Sequence, residues 1–149
     1  MAWELEKPIL VPFDFSEHAC ASVDAALRIA TAPTQIHVLH VLPYLVPSEP
    51  GVVWGTVDDD SRIRHALEAM AKALPEQRYG KLCLEVQLGD PGKVSARRAE
   101  EIGAELIIVG SHGRTGLSRF LLGSVAERVT RLAHCPVLVL KLPTKNTNQ

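Results

Sequence analysis

The chain has 149 residues, 46% of them apolar and 22% charged, with 16 basic and 17 acidic side chains and a formal net charge of -1. This length suits one domain that buries roughly 70% of its unfolded surface, and the charge balance supplies no basic field for nucleic acid or an anionic membrane. No apolar run approaches the ~20 residues that span a bilayer, and Met1 to Glu6 lacks the basic head and apolar middle of a signal peptide, so a cytoplasmic protein is expected.

Ile9 to Phe15 reads as a first strand, apolar enough for the centre of a parallel sheet. Pro12 belongs near its end, because proline cannot donate to a central ladder. Asp14 then falls at the strand's carboxyl edge. Ser16 is placed to cap a first helix, with Val23, Ala26, Leu27 and Ala30 at helical spacing and Pro33 beyond.

Ile36 to Leu42 is the second strand. Its His37 and His40 project to opposite faces and have no carboxylate or cysteine nearby in sequence, so packing or edge roles are expected rather than a metal pair. Cys20, Cys83 and Cys135 stand far apart without Cys-x-x-Cys spacing. They read as packing thiols rather than a disulfide framework or zinc site.

Pro43 to Val57 is a long connection with three prolines and two glycines, and Trp54 within it either covers a ligand or packs on the surface. Asp58, Asp59 and Asp60 suit the positive start of a helix, whose stripe is Ile63, Leu67, Met70 and Leu74 before Pro75. Leu82 to Leu88 is a third strand. Asp90 as N-cap and Pro91 at the first position start a helix to about Ile102, with Gly103 to end it. Lys93, Arg97, Arg98, Glu100 and Glu101 read as its solvated face.

Leu106 to Val109 is a short β-branched run, a strand buried on both faces. It leads into Val109-Gly110-Ser111-His112-Gly113-Arg114-Thr115-Gly116 and on to Leu122-Gly123-Ser124-Val125. Val125, Val129 and Leu132 then mark a last helix. Ser124 stands three residues before Glu127, a capping-box arrangement. Strand, glycine loop and helix start together make an anion site: backbone N–H groups point outward, the helix dipole adds positive charge, and Gly110, Gly113 and Gly123 present no Cβ to a phosphate. Val137 to Leu140 is a fifth strand, and residues from Pro143 onward read as a polar, frayed end.

Strands alternating with helices predict an α/β domain: an open, parallel, five-stranded sheet with helices on both faces, Rossmann-like or flavodoxin-like. Order 3-2-1-4-5 places the first and fourth strands side by side at the centre. A ligand is then expected in the crevice at their carboxyl ends. Asp14 suits ribose hydroxyls as an acceptor, Pro12 and Val41 suit a base, and the glycine loop suits phosphates. These parts describe a nucleotide.

The spacing Gly110-x2-Gly113-x9-Gly123-Ser124 lacks the Gly-Lys-Ser/Thr of a Walker loop and the third glycine of the dinucleotide fingerprint. It resembles the nucleotide-binding motif of the ATP-binding branch of the universal stress protein family, and the likeness runs from Ile9 to Leu140. The resemblance implies ATP, ADP or AMP as ligand, with Mg2+ carried by the nucleotide. It implies that Asp14 contacts ribose or adenine and that the Val41 backbone reads the adenine edge. Gly110, Gly113, Gly123 and Ser124 would hold phosphate, with Val109 and Val125 lining the pocket. Arg114, where the family often has lysine, could pair with phosphate. Phe13 is bulkier than the family's usual residue there.

The resemblance also implies a homodimer. An apolar edge strand at 137–140 would be covered by its twin, or else by the C-terminal tail. His112 either acts as a titratable catalytic group or orients the loop and donates to phosphate. The functional expectation is a nucleotide-sensing module. The alternatives are a slow ATPase or self-phosphorylating enzyme using Ser124, Thr115 or His112, and a flavin binder, for which 5% aromatic residues give little to stack.

Overall fold

The computed structural model of the chain describes residues 5–48, 50, 55, 58–112 and 121–143. Residues 49, 51–54, 56 and 57 of the connection before Asp58, Trp54 among them, lie outside the described residues. So does 113–120, which carries Gly113, Arg114, Thr115 and Gly116, and so does the segment 144–149.

Five strands and five helices alternate among the described residues: β1 (Ile9–Pro12), α1 (Glu17–Ile29), β2 (Ile36–Leu42), α2 (Asp59–Ala73), α3 (Glu76–Tyr79), β3 (Cys83–Leu88), α4 (Pro91–Glu101), β4 (Leu106–Gly110), α5 (Ser124–Leu132) and β5 (Val137–Leu140). The strands form one sheet in the order β3-β2-β1-β4-β5, and every neighbouring pair is parallel. The expected order holds. The short α3 was not anticipated; it is a single turn set between Pro75 and Gly80.

Alternation along the strands divides the core into two layers. Ile9, Val11 and Phe13, Ile36 and Val38, and Leu106 and Ile108 pack against Val23 and Ala26 of α1 and Met70 of α2. Leu10, Leu39, Val41 and Ile107 face the other way, onto Val94 and Ala99 of α4 and Val129 of α5. A central strand buried on both faces has no polar side to show, which is why β1, β2 and β4 read as apolar runs.

The helix starts follow the side chains that cap them. Ala19 N–H donates to Ser16 Oγ at 3.1 Å, Ser61 N–H to Asp58 Oδ1 at 2.7 Å, and Lys93 N–H to Asp90 Oδ2 at 2.9 Å. Gly103, at φ 64, follows the last turn of α4 and supplies the left-handed residue that ends many helices.

Three expectations are corrected. β1 ends at Pro12 rather than Phe15: after one more ladder bond, from Phe13 N–H to Leu39 C=O at 2.8 Å, the chain turns through Phe15 at φ 65. Ser124 is not a cap. Gly123 is the N-cap of α5 and makes no side-chain cap hydrogen bond, so Ser124 occupies the first helical position. Arg98 is not part of a purely solvated face, because it reaches across to Glu85 of β3 through two hydrogen bonds.

Candidate functional site

β1 has β2 on one side and β4 on the other, so the chain leaves the centre of the sheet in both directions. Crossover connections diverge there and open a crevice at the carboxyl ends. A cavity of about 290 Å³ occupies that place, near the lower end of the ~300–1,000 Å³ common for small-molecule sites.

The described candidates converge on it. Pro12 and Asp14 come from the end of β1, Val41 from β2, Val109 and Gly110 from β4, and His112 from the loop that follows. Gly123, Ser124 and Val125 line the cavity from the start of α5. Gly113 and Arg114 lie outside the described residues.

Three helices begin at this cavity. Ser16 and Ala19 of the α1 start, Pro91 of the α4 start and Ser124 of the α5 start all line it. Each helix N-terminus contributes partial positive charge and outward N–H groups. At α1 and α4 a side chain, Ser16 or Asp90, already satisfies one first-turn N–H. At α5 the cap residue is glycine and has no side chain to accept one. A helix end without a side-chain cap is open to an external acceptor.

The two described glycines of the motif owe their small size to packing. A Cβ on Gly110 would stand 2.5 Å from the Cβ of His18, and one on Gly123 would stand 3.0 Å from Ser111 C=O. Gly123 N–H donates to that same carbonyl at 2.7 Å. These glycines let α1 close onto the end of β4 and the start of α5 close onto the 111–112 backbone, and so set the cavity wall. His112 Nδ1 lies 3.1 Å from Ser111 Oγ, and its ring packs edge-on against His18 at a centroid distance of 5.8 Å.

Asp14 lines the cavity, and its Oδ1 accepts the Ser16 N–H at 3.0 Å, which holds the carboxylate in place and leaves its other oxygen as an acceptor. Leu39, Val41 and Pro12 supply an apolar wall.

Two lining residues escaped the sequence reading. His40 points into the α1 layer, where its Nδ1 lies 2.7 Å from Phe13 C=O; a carbonyl only accepts, so Nδ1 carries the proton. Ser95 of α4 is fully buried, and its Oγ has no hydrogen-bond partner among the described residues. A serine in mid-helix usually bonds a carbonyl of the preceding turn, and its sequence carries no sign that this one does not. An unpaired buried hydroxyl on a cavity wall is a place for a ligand's polar edge.

Fold and site together define an α/β domain with a crevice at the strand switch and a helix start open to anions. The model of the universal stress protein family matches residues 6–141, and the chain belongs to that family. Universal stress protein MJ0531 of Methanocaldococcus jannaschii is 36% identical over 148 residues, spanning 95% of this chain and 85% of the relative. The solved structure of MJ0577 from the same organism superposes with a TM-score of 0.72 at 29% identity, covering 97% of this chain and 99% of that one. A universal stress protein solved in complex with cAMP shares the fold, with a TM-score of 0.61 at 21% identity and coverage of 93% of this chain and 98% of that one. Among the described residues, no helix is long and apolar enough to cross a membrane.

Proposed function

We propose that the cavity binds an adenine nucleotide, ATP or its AMP and ADP forms, and that the protein acts as a nucleotide-responsive regulatory module of the stress response. One observation carries this reading: the start of α5, which has no side-chain cap, and Asp14 line the same cavity. Phosphate belongs at the positive helix end, where N–H groups await an acceptor. A carboxylate repels phosphate but accepts from ribose hydroxyls. The apolar wall of Pro12, Leu39 and Val41 receives the base, with the orphaned Ser95 hydroxyl available to its polar edge. The Gly-x2-Gly-x9-Gly-Ser spacing supports adenine nucleotides in particular, because it resembles the ATP-binding branch of the family.

Binding rather than efficient turnover fits the donor set. Phosphoryl transfer needs a positioned base and groups that hold a metal against the phosphates. Asp14 is the one carboxylate among the described residues lining the cavity. Mg2+ would arrive on the nucleotide. A second copy of the chain would pair along β5, whose outer edge has no strand partner among the described residues.

Calorimetric titration with ATP, ADP and AMP in the presence of magnesium tests the reading. Saturable binding of at least one, with phosphate release far slower than binding, is the expected result. No heat with any of the three from folded protein rejects it, and rapid phosphate release would move the assignment to an ATPase.

A further inference from the structure

On the α4 side of the sheet, at the amino-terminal ends of β2 and β3, three metal-ligand types meet. His37 and Cys83 are register partners, and Glu85 lies opposite Leu39 two residues further on. Side chains alternate along a strand, so His37, Cys83 and Glu85 share one face. Their ligand atoms all lie within 4.8 Å of one another. His37 Nδ1 stands 3.0 Å from Glu85 Oε1, and Cys83 Sγ stands 3.9 Å from the same oxygen. No carboxylate or cysteine lies near His37 in sequence; its partners come from the adjacent strand, 46 and 48 positions away.

We propose that His37, Cys83 and Glu85 form a binding site for a divalent transition-metal ion of the zinc type, separate from the nucleotide cavity. Ligands bound tetrahedrally to zinc stand about 3.3–3.6 Å apart, and the two distances above bracket that value. Imidazole, thiol and carboxylate together select zinc-like ions over magnesium or calcium, which take oxygen ligands. Three protein ligands leave a fourth position for water or another ligand. The His37 and Glu85 side chains are 18% and 16% exposed, so the site is reachable from solvent.

The surroundings suit the ion. Arg98 Nε and Nη2 donate to Glu85 Oε2 and Oε1 at 2.9 and 3.0 Å. This holds the carboxylate in one rotamer, ionised, as outer partners of metal ligands do. On loading, the metal takes the place of the His37–Glu85 hydrogen bond. An ionised carboxylate only accepts, so without metal His37 Nδ1–H donates to Glu85; on loading that proton passes through solvent to Nε2 and frees the Nδ1 lone pair for the ion. The Cys83 S–H proton leaves to solvent. Thiolate and carboxylate then balance the two positive charges. His37 and Val41 are four residues apart on β2, about 13 Å along the strand, which keeps this site clear of the nucleotide.

The competing account is a hydrogen-bonded His37–Glu85–Arg98 network with no metal affinity. Metal-free, reduced, full-length protein titrated with Co2+ distinguishes the two. A thiolate-to-cobalt charge-transfer absorption that saturates at one ion per chain and is displaced by Zn2+ is expected. The same band should persist in the C20S/C135S variant, where Cys83 is the one thiol. It should vanish in Cys83→Ser, and His37→Ala should weaken binding at least tenfold, with folding of each variant checked by circular dichroism. The absence of the band in the unaltered chain, which needs no variant to fold, overturns the proposal. So does a band that survives in folded Cys83→Ser.

Discussion

Asp90, the N-cap of α4, accepts a hydrogen bond from Arg128 of α5 and so joins the two helices whose starts flank the cavity. The same carboxylate accepts the Lys93 N–H. Between the helices Gly92 leaves no room for a side chain, since a Cβ there would stand 2.7 Å from Arg128 Cβ. The α4–α5 contact is therefore close, charged at its rim and apolar within. Its ion pair is about one-third exposed on each side, so solvent screens it.

Asp90→Ala removes cap and ion pair together and should cost about 1 kcal/mol at pH 7, the usual price of a lost N-cap. Asp90→Asn keeps the cap acceptor and should cost less. The Lys93 N–H first, and then Arg128, hold the Asp90 carboxyl below its ordinary 3.8. Its stabilisation is therefore complete above that value and is lost as pH falls through the lower, folded one. Urea unfolding at pH 7 and near pH 3 checks this, and the gap between wild type and Asp90→Ala should narrow at the acid end.

Ser95→Ala separates stability from binding. The Ser95 hydroxyl is buried without a partner, and such a group costs roughly 1–3 kcal/mol. Its removal should leave the free protein as stable or more stable, by up to about 1 kcal/mol, while adenine-nucleotide affinity falls. Thermal unfolding and calorimetry on one preparation read both. A variant destabilised with affinity unchanged would count against Ser95 as a ligand contact.

Asp14→Asn should weaken nucleotide binding about tenfold, ~1.4 kcal/mol, through loss of the charged acceptor. The asparagine oxygen can still accept the Ser16 N–H, so the turn before α1 should survive. Near-unchanged unfolding with weakened binding is the expected pair of results.

Gly110→Ala forces a methyl group onto His18 of α1. Overpacking of that kind costs about 1–3 kcal/mol, readable in urea melts without any ligand. Little or no cost would show that α1 yields easily at that point.

Leu138 is the exposed residue of β5, at 38%. If two copies pair along that edge, Leu138→Lys places like charges across the two-fold axis and should give a monomer in sedimentation. A wild-type chain that is already monomeric removes the edge-pairing account.

Local chemistry was legible where one residue decides it. Aspartate, proline and glycine at 90, 91 and 103 located α4 at both ends, and the apolar runs located β2 and β5 to the residue. Ser124 shows where local reading stops. Serine and glycine both suit an N-cap, and the choice fell to Gly123, which the Ser111 carbonyl holds in place. That one-residue shift takes Ser124 off cap duty and leaves the helix start open. His37, Glu85 and Arg98 were not legible because their contact depends on the register of β3 against β2 and on where α4 crosses it. Neither is written in any local window. Cys83 read as an inert thiol, and burial with the nearby Glu85 charge does push it up toward the protonated form.

The central claim is that Asp14 and the α5 start belong to one nucleotide site. Backbone amide resonances followed during an ATP titration with magnesium test it most directly. The account predicts that Asp14, Val41, Gly110 and Ser124 shift together along one saturation curve, while β5 and the His37–Glu85 corner stay still. Saturable ATP binding whose shifts fall away from these residues, or that moves Ser124 without Asp14, would contradict it.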